Sequence, residues 1–590
     1  GIAMGQEFKA KGADVQLGPG LNIARVPVNG RNFEYLAGED PYLGYKLAGP
    51  VVTGIQEQGV IACGKHFVGN SQEANRMDVS EDIDERTLFE MYYPPFEGAI
   101  EAGLGSIMCS YNRINGTHSC ENPKTLGHLK GKLGFQGFVM SDWGATHTAS
   151  LKQGLDQEMP FGVQTNPLAM LAHKVPMEDL DHAVHRILRT MFAVGVMDEP
   201  AATWKSDNFK NNVSTVENIN LARSLSADST VLLKNKGGVL PLPKGKKLAL
   251  IGFASDSAIA LSYGHGSGEV YPSYYVSPLA GITAAAGADA QVRFNDGTNL
   301  TEVAALASDS DYAIVFVGSS ASEGADRPQL SLNGGCTTKG VDGKTIHCKG
   351  NDAQQNGMVK AVAAANPKTI VVASVPGAFL MPWGENVAAI LTNFMPGQQA
   401  GNAIADVLFG TVNPSAKLPI TMPNEENEVK FAASQYPGEL REDMLHHSGY
   451  SEQLLVGYRL YDTRNIGFTT GFPFGFGLSY TNFAYKGLAV DGRTVSFTVK
   501  NVGSVPGREI AQLYLGFPAA AGEPPLQLKG FAKTGLLAPG KEERVTLTLR
   551  DRETSIWDSV KHDWEPVKGT FAVNVGASSR DILLKGSMEL

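Results

Sequence analysis

The sequence has no apolar run near the roughly 20 residues that a membrane-crossing helix needs. It has no basic excess either: 50 Lys and Arg stand against 60 Asp and Glu, a formal charge of −10. Nucleic acids and anionic bilayer surfaces are met by basic patches, so neither is expected as a partner. None of the five cysteines forms a CxxC pair, which removes the usual zinc and dithiol readings. No phosphate-cradling loop is present, since GHGSG at 264–268 fits neither a Walker loop nor GxGxxG. No metal or other cofactor is expected on these grounds, and the oligomeric state, monomer or homodimer, stays open.

What is present is ordinary globular material in quantity. The 590 residues are 43% hydrophobic and 19% charged, enough to build several cored domains. Over 1–198, apolar runs at 15–19, 60–67, 106–111 and 138–143 alternate with helical stretches such as 81–102. That alternation predicts parallel βα units. Polar residues follow each run, as they do at the carboxyl ends of strands in a (β/α) barrel. Segment 178–198 predicts an amphipathic helix ending near Gly195, and 199–216 a linker. A second α/β region, 217–423, carries runs at 247–253, 312–320, 369–375 and 388–394 that suit a sheet covered on both faces. Residues 424–483 read as a turn-rich connecting segment, and 484–590 alternate as an antiparallel β-sandwich. The fold class expected is therefore α/β multidomain: a (β/α) barrel-type domain, an α/β sandwich domain and a C-terminal β-sandwich.

Cys336 and Cys348 flank one short loop and Cys109 and Cys120 another, so a disulfide is expected across each, with Cys63 a buried free thiol. Disulfides belong to oxidising compartments. Sequons at Asn115, Asn212 and Asn299 point the same way, to a secreted protein. The chain opens without Met, inside an amphipathic segment, and is read as beginning at a processed or truncated end.

In FVMSDWG an apolar run ends on Asp142, with the indole of Trp143 beside it. Glycosidases need paired carboxylates, and aromatic faces pack on sugar rings. Taken alone, Asp142 reads equally well as a helix cap. Lys65 and His66 diverge from the end of a strand, where they would bracket a polyhydroxylated ligand or form a structural pair. Arg31 is suited to vicinal hydroxyls or to pairing with Glu34 or Glu39, and Arg76 reads similarly. Glu323 sits in a glycine-flanked loop after 312–320 and by itself is one surface glutamate among many.

Taken together, GRNFE, GKHFVGN, MCSYNRING, FVMSDWG, STVLLKNKGGVLPLP, MPGQQAGNAIADVLFG, NPSAKLPITMP and FPFGFGLSYTNF resemble glycoside hydrolase family 3, in order and across the whole chain. The resemblance makes the last domain fibronectin type III-like and puts the active site between the first two domains. It implies Asp142 as nucleophile and, through the shorter match SEGADR, Glu323 as acid/base. It places Arg31, Lys65, His66, Arg76, Met108, Tyr111, Trp143 and Ser267 around a terminal sugar. Relatives carry further sequence before the AMGQEF helix, including the first barrel strand and an aspartate that grips the sugar, so the first strand is expected to be missing here.

Trp143 favours a β-glucosidase over a β-xylosidase, whose relatives tend to carry Cys at that place. KHFVGN lacks the catalytic His of the N-acetylglucosaminidase branch. The implied activity is retaining exo-hydrolysis of terminal β-glucosyl residues from small carbohydrates. A β-xylosidase or broad exo-β-glycosidase and, from another class, a non-catalytic sugar-binding relative are the alternatives. Retention calls for carboxyls about 5–5.5 Å apart, with Glu323 protonated and Asp142 ionised at the start. Lys65, His66 and Arg31 are expected to favour the ionised Asp142, giving a bell-shaped pH profile with a mildly acidic optimum.

Overall fold

The computed structural model describes residues 1–160, 162–198, 206–332, 337–339, 345–347 and 352–590. The proposed Cys336–Cys348 bridge lies outside the described residues, as does the start of the 199–216 linker.

In the first region, strands β1 (Val15–Gln16), β2 (Ile61–Phe67), β3 (Ser106–Cys109) and β4 (Phe138–Ser141) form one parallel sheet in chain order. Every residue of β2, β3 and β4 is buried, because helices and loops cover both faces of the sheet. The free side of β4 is not bare: Ser141 N–H donates to the Gln157 carbonyl, and the Asp156 and Gln157 N–H groups donate to Val139. Helix Pro41–Gln56 starts on Asp40, whose side chain accepts the Leu43 N–H, and has Pro at its first position. Helix Met177–Val194 ends at Gly195 in the left-handed conformation (φ 84°), as its sequence predicts. Cys109 and Cys120 are joined by a disulfide and Cys63 is buried and free. Stretch 81–102 is less regular than expected, with turns at Glu85–Thr87 and Leu88–Tyr92 before helix Pro94–Glu101.

The second region is a six-stranded sheet. Its strands are β5 (Val231–Asn235), β6 (Lys247–Gly252), β7 (Gln291–Asn295), β8 (Tyr312–Gly318), β9 (Thr369–Ser374) and β10 (Ala389–Thr392), in spatial order β7-β6-β8-β9-β10-β5. All neighbours are parallel except β5 with β10. The central β8 is buried along its length, and two apolar clusters fill the two faces of the sheet. Its helices are capped in sequence-legible ways: Ser277 precedes Pro278, and Asn299 accepts N–H bonds from Thr301 and Glu302.

The connecting segment does more than connect. Its strand His446–Gly449 pairs in parallel with Ser80–Asp82 of the first region. Buried Arg459 reaches Asp40 at 2.7 Å, and Glu39 accepts Thr421 N–H at 2.7 Å and Tyr458 N–H at 2.8 Å. The last region is an antiparallel sandwich of a three-stranded and a four-stranded sheet. A hairpin, Ser555–Asp558 with Asp563–Pro566, clips it to the first region. Trp557 from this hairpin stacks on Phe89 at 3.4 Å and donates to Glu85 at 3.0 Å.

Candidate active site

The carboxyl ends of the first region's strands converge on one polar cluster. Arg31, 1% exposed, holds Glu34 with two bonds, 2.7 Å from Nε and 2.9 Å from Nη2. Of the two partners the sequence offered, Glu34 is the one it takes, while Glu39 turns to Thr421 and Tyr458. At the end of β2, Lys65 lies 3.7 Å from Glu34 Oε2. Asn22 pins the His66 backbone by accepting its N–H at 2.7 Å and donating to its carbonyl at 3.0 Å. The His66 ring stands between Tyr35 and Asp142, 3.4 Å from the Tyr35 hydroxyl and 3.5 Å from Asp142 Oδ2.

Asp142 follows β4 directly. Its N–H donates to the Cys109 carbonyl at 3.1 Å, and its Oδ1 accepts the Trp143 N–H at 2.6 Å. Among the described residues, Oδ2 is buried without a close hydrogen-bond donor, with His66 Nε2 3.5 Å away, while the Tyr111 hydroxyl also acts on the carboxylate, so Oδ2 is the oxygen best placed for a ligand. The Cys109–Cys120 disulfide closes the loop that carries Tyr111, whose ring lies under the Arg76 guanidinium at 4.8 Å. Trp143 is 63% exposed and offers its indole outward. Met108 packs with Ile61, Cys63, Phe138 and Met140 in an apolar cluster.

The second region supplies the other carboxylate from the loop after β8. Glu323 Oε1 sits 2.9 Å from Arg76 Nη1 and 3.5 Å from Arg31 Nη1. Its Oε2 accepts the Ser267 N–H at 2.8 Å and the Ser267 hydroxyl. Two glycines permit this. Gly266 has φ 125°, and a Cβ there would lie 2.5 Å from the Glu323 Cβ. A Cβ on Gly30 would lie 2.0 Å from the Ala325 carbonyl oxygen, so only glycine lets the loop settle on the first region. Asp326 fixes it there by accepting the N–H groups of Gly30, Glu73 and Ala74 at 2.9–3.1 Å and the Tyr436 hydroxyl at 3.0 Å.

Arg31, Lys65, His66, Arg76, Tyr111, Asp142, Ser267 and Glu323 thus form one connected cluster between the two regions, with Trp143 at its rim and Met108 beneath. Glu34 belongs to it as well, read from the sequence only as a partner of Arg31, and Glu73, Tyr35 and Asp326 belong to it and escaped the sequence reading. Of the missed residues, Glu73 had a legible signal, since like Glu34 it lies three residues from the arginine it binds.

The charge balance differs from the expectation. Burial pushes the Asp142 carboxyl up, against the Trp143 N–H, Arg31 and Tyr111. Burial also acts upward on Glu323, but Arg31, the two Ser267 bonds and Arg76 overcome it and hold that carboxyl at about 2. Of the cations expected to ionise Asp142, Arg31 does pull its carboxyl down but also binds Glu34, Lys65 faces Glu34, and burial together with Arg31, Lys65 and Arg76 holds His66 well below its ordinary value, so it is neutral. In the ligand-free protein Glu323 is therefore the firmly ionised carboxylate.

Comparison with known proteins covers the whole chain. The profile of the Glycosyl hydrolase family 3 N terminal domain matches residues 1–190 and that of the family 3 C-terminal domain matches 230–480. A Fibronectin type III-like domain matches 509–579. The chain is 38% identical over 625 residues to Thermostable beta-glucosidase B of Acetivibrio thermocellus, covering 100% of itself and 77% of that protein. It is 37% identical over 655 residues to Probable beta-glucosidase L of Emericella nidulans, covering 100% of itself and 85% of that protein. Among solved structures, Beta-D-glucoside glucohydrolase from Trichoderma reesei superposes with TM-score 0.86 at 35% identity, over 100% of this chain and 87% of that one. Beta-glucosidase 3B from Thermotoga neapolitana in complex with glucose superposes with TM-score 0.85 at 32% identity, over 100% and 85%.

Proposed function

Because the chain belongs to glycoside hydrolase family 3, we propose that it is a retaining exo-β-glucosidase in which Asp142 is the nucleophile and Glu323 the acid/base. The observation that carries this reading is that Arg31, 3.5 Å from Glu323, acts on both carboxylates, which come from different regions, and that among the described residues Asp142 Oδ2 is buried without a close donor. The substrate is a small carbohydrate or aryl glycoside with a terminal β-glucosyl residue.

Asp142 Oδ2 attacks the anomeric carbon, the glycosidic C–O bond breaks, and Glu323 gives its proton to the departing oxygen. A glycosyl ester on Asp142 results. Water then attacks the same carbon while Glu323 takes a proton from it, and β-glucose leaves with its configuration retained and Asp142 freed. Arg31, Lys65, His66, Arg76 and Ser267 would bind hydroxyls of the terminal sugar, with Tyr111 and Met108 around it and Trp143 stacking at the entrance. Sugar hydroxyls that take over donors from Arg31, Arg76 and Ser267 withdraw the interactions that hold Glu323 ionised, and so let it carry the proton it must deliver.

The Cys109–Cys120 disulfide suits an oxidising compartment, which supports secretion. Incubation with a 2-deoxy-2-fluoro-β-glucosyl inactivator, followed by peptide mass spectrometry, tests the assignment. The label is expected on Asp142. A label on another carboxylate, or turnover of the β-xyloside exceeding that of the β-glucoside, would overturn the respective part of it.

A further inference from the structure

Glu73 has no role in the steps above, yet it is buried at the centre of the contact between the two regions (4% exposed). Its Oε2 accepts Arg76 Nη1 at 2.7 Å and the Gly324 N–H at 2.7 Å. The same Arg76 nitrogen lies 2.9 Å from Glu323 Oε1. The contact is reciprocal, because the Glu73 N–H donates to Asp326 of the Glu323 loop at 2.9 Å. We propose that Glu73 is the positioning residue of the acid/base: it fastens the peptide that follows Glu323 and shares Arg76 with it, setting both where the Glu323 carboxyl points and how tightly it keeps its proton. This rests on the acid/base reading of Glu323.

The geometry gives two separable effects. Gly324 N–H belongs to the peptide unit that leaves Glu323, so holding it fixes the backbone rotation that aims the Glu323 side chain. Gly324 itself has φ 90° and nothing within 4 Å of an added Cβ, so it supplies no steric guidance of its own. The second effect is electrostatic. One guanidinium nitrogen serves two carboxylates, and an anionic Glu73 draws Arg76 away from Glu323.

The groups facing Glu73 are Arg31, Arg76, Asp326, Glu323 and the Tyr35 hydroxyl, and Asp78 and His446 line the same 650 Å³ opening. Burial drives the Glu73 carboxyl up, Arg31, Arg76 and the Gly324 N–H pull it back, and it settles at about 7. Where Glu73 is ionised, above about pH 7, removing its negative charge leaves both arginines to Glu323, which lowers the Glu323 pKa. The alkaline limb of the kcat profile, which reports Glu323 with the sugar bound, is then expected to move to lower pH.

The test compares Glu73→Gln, which keeps size and an acceptor for Gly324 but loses the charge, with Glu73→Ala, which loses both. Each is assayed on the full chain with a cellobiose substrate and with a dinitrophenyl β-glucoside, whose leaving group needs no proton. Glu73→Gln is expected to shift the alkaline limb to lower pH on cellobiose. Glu73→Ala is expected to lose about 10²-fold in kcat on cellobiose, as misaiming by an ångström does, and only a few-fold on the dinitrophenyl substrate. Equal losses on both substrates with an unmoved limb would overturn the proposal and leave Glu73 as support for Arg76 alone. Glu323→Ala is the control that separates the two readings. If it too shows no dependence on the leaving group, the acid/base assignment fails and not the role of Glu73.

Discussion

The two carboxylates are held in opposite ways. Asp142 is positioned by the sheet it grows from: its N–H bonds to the neighbouring strand end at Cys109, its oxygen closes on the next residue, and His66 beside it is pinned by Asn22. Glu323 is positioned largely by residues of the other region. Gly30, Glu73 and Ala74 hold Asp326, Glu73 holds Gly324, and Arg31 and Arg76 hold the carboxylate itself. Its own region contributes Ser267 and a bond from the Glu323 N–H to the His265 carbonyl. Attack geometry is thus a property of one strand end, while proton delivery is a property of a domain contact. Changes at that contact should harm protonation of the leaving group before they harm nucleophilic attack.

The sharpest way to break this comparison is at its two ends. Asp142→Ala removes the attacking atom and should cost at least about 10⁴-fold in kcat whatever the leaving group. The protein should stay folded, since the substitution removes a buried carboxyl that burial already disfavours as an anion. Circular dichroism and stopped assays on both substrate types check this, and appreciable retained turnover would show that another group attacks. Glu323→Ala should cost about 10²–10⁴-fold on cellobiose. It should cost far less on dinitrophenyl glucoside, and added azide should restore turnover by attacking the glycosyl ester without needing a base.

Between these lies the fastening. Asp326→Ala leaves the Gly30, Glu73 and Ala74 N–H groups without their acceptor at a buried contact. Unsatisfied buried donors cost about 1–3 kcal/mol each at most, so a fall in melting temperature of several degrees is expected. Turnover of cellobiose should fall about 10²-fold, with the dinitrophenyl substrate less affected. A variant that loses stability but keeps the wild-type ratio between the two substrates would show that the loop does not need its dock.

The same contrast governs what was legible in the sequence. Strand-end residues declare themselves, because an apolar run that stops on Lys65-His66 or Ser141-Asp142 marks both the element and its functional end. The sheets, the helix ending at Gly195 and the sandwich follow from period and turn chemistry alone. Strands Val231–Asn235 and Gln291–Asn295 were not legible, the second because its alternation spans only five residues at a half-exposed sheet edge. Glu323 needed the family resemblance, since a loop glutamate carries no periodic signal. Asp326 and Glu73 act through backbone N–H groups hundreds of residues away in the chain, and no local pattern encodes such a partner. The direction of the charge shifts was misread for a related reason: the sequence shows which cations are near Asp142 but not that burial outweighs them.

The smallest effect separates the regions by pH. Glu39 and Glu81, both fully buried, sit where the first region meets the connecting segment, and burial pushes them to about 7 and about 8. An unfolded glutamate titrates near 4.3. Between these values the folded protein holds protons that the unfolded chain has released, so this stabilisation is complete below about pH 4.3 and is lost as pH rises through 7 to 8. Glu323, held at about 2, works the other way: its contribution is present above about pH 4.3 and is lost as pH falls toward 2. The melting temperature should therefore be highest in mildly acidic solution and lower at pH 8 than at pH 5. Glu81→Gln, neutral at every pH, should flatten that decline, whereas Glu323→Gln should leave it in place, lower the melting temperature above about pH 4.3 and flatten only the fall toward pH 2. A melting temperature that rises from pH 5 to pH 8 would mean that these buried carboxyls are ionised in the folded state, with Arg25 and Arg459 as their counter-charges.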